Sequence, residues 1–235
     1  IKGVHNSNTP AGEIVASSSS QQMMGWVYSF DYTDATISSS TYDSNLIAHY
    51  KFENNGNDSS TNNYTLIQKV GGLTYSQGTA RDPISYWANG TSTTASNWAL
   101  SPNLNQNVPI TVAFWFRVTQ TTQSTILGYG DPFTTPGFNI DHNGTTTLTS
   151  NIGIPSTWSR IILTEISRNV WYHYTLTITD SYLATVYING VKEGTVQGTG
   201  ALRQNGHLHI TNAGDNARGY EGCLLYTSDA ADERN

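Results

Sequence analysis

The run Glu53-Asn54-Asn55-Gly56-Asn57-Asp58-Ser59-Ser60 crowds two carboxylates, three amides and two hydroxyls into one short turn. Hard oxygen donors of this kind suit Ca2+. The same residue types also build a solvated Asx-rich turn, in which side chains bond their own backbone. A second constellation is Gly130-Asp131-Pro132-Phe133 with Asp141-His142-Asn143, two loop clusters that can meet at one rim. Tyr129, Phe133, Trp87 and Trp158 supply aromatic rings for stacking on sugars. Polar groups such as Asp131, Asp141 and Asn143 beside an aromatic platform suit carbohydrate recognition. For each of these residues, ordinary packing is the competing reading.

Other chemistry is excluded more firmly. Glycoside hydrolysis needs two carboxylates flanking the bond, but Glu165 is followed by Ile-Ser-Arg-Asn and Asp180 stands alone. No Gly-x-Ser-x-Gly elbow and no His-Glu-x-x-His occurs. His173 has no second His at ligand spacing and reads as a packed, hydrogen-bonded residue. The single cysteine, Cys223, provides neither a disulfide framework nor a zinc site. Only 11 basic residues, scattered through a chain of net charge −6, argue against a nucleic-acid partner. No run of 18 apolar residues offers a membrane span.

These residues must be positioned by strands. "ITVAFWFRV" (110–118) alternates Ile110, Val112, Phe114, Phe116 and Val118 on one face. "GFNIDHNGTTTLTSNI" (137–152) reads as two strands around Asn143-Gly144, and "VWYHYTLTITD" with "YLATVYINGVKEGTV" as a pair turning at Asn189-Gly190. "LIAHYKF" (46–52), "STILGYG" (124–130) and "GHLHITNA" (206–213) are further strands, and Trp115 and Trp171 read as core or inter-sheet packing. No amphipathic helix of useful length appears. Short antiparallel strands with Gly/Asn turns predict an all-β, two-sheet antiparallel jelly-roll sandwich.

Four stretches resemble, in order, motifs of the laminin-G-like domains of the concanavalin-A-like lectin/glucanase superfamily. They are "LIAHYKFENNGNDSSTNNYTL", "ITVAFWFRV", "NVWYHYTLTITDSYLATVYINGVKEG" and "LHITNAGDNARGYEG". The resemblance implies a jelly-roll domain over 45–222. It implies a structural Ca2+ in the intact domain, with Glu53 and Asp58 at the acidic positions of the first turn. The family's partner Asp on the last strand is missing here. The carboxylate spacing of the superfamily's glucanases, Glu-x-Asp-x-x-Glu, is also absent, so a non-catalytic module is expected.

The resemblance also shapes the chain's ends. Residues 13–39 resemble the end of another such domain, so 1–44 reads as the tail of a preceding repeat plus a linker within a longer multi-domain chain. Residues 25–33 are then candidates to pair against 46–52. "CLLYTSDAADE" (223–233) resembles a translated sequencing adaptor. On that reading 223–235 is non-native and the domain lacks its last strand. The expected function is adhesion: recognition of a glycan or surface protein by a module outside the cell or on a virion or cell surface. A structural spacer repeat is the alternative, and a glycoside hydrolase a more distant one.

Overall fold

A computed structural model describes residues 46–69, 73–77, 86–91, 98–104, 108–130, 136–153, 157–199, 206–211 and 220–225. The first strands are β1 (Ile67–Lys69), β2 (Thr74–Gln77), β3 (Tyr86–Thr91) and β4 (Trp98–Leu100). The long strand β5 (Ile110–Val118) leads to β6 (Ser124–Tyr129), β7 (Gly137–His142), β8 (Leu148–Gly153) and β9 (Ser159–Leu163). Then come β10 (Tyr172–Ile178), β11 (Leu183–Ile188), β12 (Val191–Gln197), β13 (Leu208–Ile210) and β14 (Glu221–Leu225). They form two seven-stranded antiparallel sheets. One runs β1-β4-β13-β6-β7-β8-β9 and the other β12-β11-β10-β5-β14-β3-β2. This is the expected jelly-roll sandwich.

Period-two alternation builds the core between the sheets. On β5, Ile110, Phe114, Phe116 and Val118 are buried, and opposite them on β10 lie Tyr174, Leu176 and Ile178. From the other sheet come Phe138, Ile140, Leu148 and Ile152. Tyr174 is wholly buried and its hydroxyl meets Ser150 Oγ at 2.7 Å, tying β10 to β8 across the sandwich. Trp115 departs from the core expectation. It stands on the far face of β5, where it and Trp171 pack on Cys223.

The hairpin turn between β11 and β12 is as expected. Asn189 and Gly190 have φ of 49° and 77°, the left-handed pair that a type I′ turn needs. Gly190→Ala should therefore destabilise the protein by about 1 kcal/mol in urea unfolding, with an unchanged m-value.

Two expectations change. The 46–52 stretch is not a strand: among the described residues it makes one bridge, Tyr50 to Asp58, and turns away through Phe52 and Asn54, both at positive φ. The domain also does not stop at residue 222 without a closing strand. Glu221–Leu225 forms β14, paired to β3 on one side and β5 on the other. Leu224 enters the core at 2% exposure and Cys223 faces the opposite way, so the segment satisfies the alternation that this position demands. Residues 1–44, including the candidate pairing segment 25–33, lie outside the described residues, as do 226–235.

Candidate functional site

Asn139 and Asp141 stand two apart on β7 and share the face turned away from the core, because Phe138 and Ile140 take the core side. Opposite them on β8 are Asn151 and Thr149; on β6 are Gly128 and Thr125. His209 on β13 lies opposite Gly128, and Arg160 on β9 opposite Asn151. The sheet thus sets a polar row across five strands.

The row is hydrogen-bonded internally. Thr125 Oγ1 donates to Asp141 Oδ1 at 2.6 Å. Asn151 Nδ2 donates to Asn139 Oδ1 at 2.6 Å and to Asp141 Oδ2 at 3.0 Å. Both Asn151 N–H donors are used, whereas the Asn139 amide NH2 and the Asn151 carbonyl oxygen are left over from the network. Gly128 interrupts the row with no side chain, and a Cβ there would sit in ordinary van der Waals contact with Asn139 Cβ and Phe138 O, each at 3.6 Å. Thr125, Asn139, Asp141 and Asn151 are all buried, at 0–7% exposure, so their mutual bonds satisfy polar groups withdrawn from water. For the leftover Asn139 amide and Asn151 carbonyl, a hydroxyl, which both donates and accepts, is the matching ligand group.

Of the residues singled out in the sequence, Asp141 belongs to this network. Asn143 is exposed in the turn after β7, but its Oδ1 already accepts from Thr145 N, Thr145 Oγ1 and Thr147 N at 2.9–3.1 Å. Trp158 is half-buried immediately before β9. Tyr129 is not a stacking platform. It is 3% exposed, its ring lies on Phe138 at 5.7 Å, and its hydroxyl bonds Leu104 O and Gly206 N. It alternates onto the core side of β6. Asp131 and Phe133 lie outside the described residues. Asn139, Asn151 and Thr125 were missed, although polar residues at period two in "GFNIDH" and "LTSNIG" carried the signal.

The first turn does not fit a Ca2+ site. Asp58 Oδ1 accepts the His49 and Ser60 amides at 2.8 Å each, and Oδ2 accepts Ser60 Oγ and Tyr64 N at 2.7 Å each. Burial pushes this carboxyl upward, but these donors outweigh it and hold it below the usual carboxylate range. Four donors fill the lone-pair sites a cation would need. Glu53 is exposed, and its backbone carbonyl accepts from Asn55 Nδ2 at 2.7 Å. Among the described residues no group of three or more His, Cys, Asp or Glu is placed to hold a metal, and no helix is long and apolar enough to cross a membrane.

The sequence pattern of the concanavalin A-like lectin/glucanases superfamily matches residues 89–225. No curated protein matches the chain. Among solved structures, the chain is similar to domain 4 of AbnA, a GH43 extracellular arabinanase from Geobacillus stearothermophilus solved with arabinotriose. The identity is 23% and the TM-score 0.56, over 77% of this chain and 89% of that one. It is also similar to the binding domain of Paraclostridial Mosquitocidal Protein 1, at 20% identity and TM-score 0.56, over 72% of this chain. The botulinum neurotoxin serotype D binding domain gives 15% and 0.51, again over 72% of this chain. The chain spans 44% of each of these two binding domains. These likenesses bear on the fold.

Proposed function

The chain belongs to the concanavalin A-like lectin/glucanases superfamily, and from that premise we propose that it is a non-catalytic binding module for a neutral glycan. The ligand lies on the outer face of β6, β7 and β8. The observation that carries this reading is the hydrogen-bonded set Thr125–Asp141–Asn151–Asn139, with leftover donors and an acceptor beside Gly128. Burial alone requires these polar groups to be bonded, and groups fixed by one another in this way are also pre-organised for a ligand. Among the described residues of the set Asp141 is the one carboxylate, whereas glycoside hydrolysis uses a pair, and the reading is therefore of binding. That a domain of this fold was solved with arabinotriose supports the reading. The setting we infer is extracellular, within a longer protein; the arabinanase whose domain 4 is similar to this chain is an extracellular one.

A glycan array on the purified protein tests this, followed by titration calorimetry of the best ligand. Asn139→Ala and Asn151→Ala should each weaken binding about tenfold, the loss of one or two hydrogen bonds at a buried contact. Each truncation also strands buried partners and should cost about 1–3 kcal/mol of stability, so affinities are compared well below the melting transition. Absence of any glycan ligand, or unchanged affinity in both variants, sinks the proposal. A protein ligand competing at the same face would keep the site and change its partner.

A further inference from the structure

His142 ends β7 on the core side and is wholly buried. Its Nδ1 accepts the Gly144 amide at 3.1 Å, which places the ring proton on Nε2. That Nε2 is buried without a hydrogen-bond partner. So is Oγ of Ser124, the residue directly opposite on β6. The bond from Gly144 matters because the turn it holds is tightly seated. Gly144 has φ of 88°, and a Cβ on it would come within 2.4 Å of Thr121 O. Asn143 N donates to Thr147 O, and Ile166 N to Thr146 O, so the turn also anchors the segment after β9.

We propose that His142 is a proton-operated latch on the 143–147 turn. The neutral imidazole accepts the Gly144 N–H and closes the turn. A proton on Nδ1 removes that acceptor, sets two donors against each other, and turns the ring toward the Thr145 carbonyl. The cross-strand neighbours of His142 are Ser124 on β6 and Leu148 on β8, both uncharged, and the charge that acts on the ring is Arg168 in the segment after β9. Glu165, in that segment, is exposed and does not act on it. Burial pushes the imidazole below its usual range, the Thr145 backbone opposes that shift, and Arg168 adds to it. A depressed value in the fold means stability that is complete above the unfolded value of about 6.5 and is lost as pH falls through the folded one.

NMR on the full chain tests the latch. The His142 ring should titrate below about 6.5. The Gly144 amide shift should move with the same midpoint, and its hydrogen-exchange protection should fall about tenfold for each pH unit between the two values. His142→Asn keeps an acceptor near the Nδ1 position and cannot titrate, so its Gly144 protection should be flat across that window. A ring midpoint at the ordinary value, or a Gly144 amide that ignores the ring, overturns the proposal on the unmodified protein even if the variant folds poorly. Equal pH dependence in variant and parent overturns it as well.

Discussion

A chain ended after Gly222 should lose cooperative folding, whereas a chain ended after Leu225 should keep it. The three residues between these ends complete β14, which is an interior strand: Leu224 pairs with Ala88 on one side and Phe116 on the other. Without them, β3 and β2 lose their connection to β5 over most of its length, and the freed edges become unpaired backbone inside the sheet. Leu224 is 2% exposed among the core residues, and its loss leaves a cavity costing about 3 kcal/mol. Cys223 packs on Trp115 and Trp171, and Arg117 Nη2 donates to its Sγ at 3.1 Å. Several ladder hydrogen bonds at about 1 kcal/mol each go too. The sum exceeds about 5 kcal/mol, comparable to the whole stability of a typical domain. Urea unfolding followed by circular dichroism decides it. A Gly222-ended chain with a sharp transition near the parent's would show that β14 is dispensable. The outcome holds whatever the origin of the Cys223–Leu225 tripeptide, since the sheet reads only its alternation.

What could be read in the sequence follows from which signals are local. The β7–β8 and β11–β12 hairpins announce themselves through Asn-Gly turns, and β5 through five apolar residues at period two. All are contacts between near neighbours. β14 is hidden in the sequence because its strand character is non-local: Cys-Leu-Leu is unremarkable until it lies between Phe116 and Ala88. The burial of Tyr129 is hidden for a related reason. Its exposure depends on the parity of β6, and the shift between Thr125 and Leu127 resets that parity where no turn residue marks it. The polar face was half legible. Asp141 was chosen as a loop residue, while its role comes from cross-strand neighbours that only the register brings together.

Asp58→Ala should be the most destabilising single substitution outside the apolar core. The Asp58 carboxylate, 9% exposed, joins three points of chain: His49 before the turn, Ser60 within it and Tyr64 beyond it. Alanine leaves three backbone amides and one hydroxyl without their acceptor. Hydrogen bonds to a charged group contribute about 1.5–3 kcal/mol each, and stranded buried donors cost more than the bonds alone. Partial rescue by water on the exposed side lowers the sum, so a loss of about 3–4 kcal/mol is expected in urea unfolding. Asp58→Asn should recover little of it, because its NH2 faces donors. The pH dependence fixes the cause. A carboxyl held below its usual range contributes stability above the unfolded value of about 3.9 and loses it as pH falls through the folded value. The parent should therefore weaken below pH 4 more steeply than Asp58→Asn. If added Ca2+ at neutral pH raised the parent's melting temperature and left Asp58→Asn unmoved, the carboxylate would be a cation ligand after all, and the hydrogen-bonded staple would have to open to admit it.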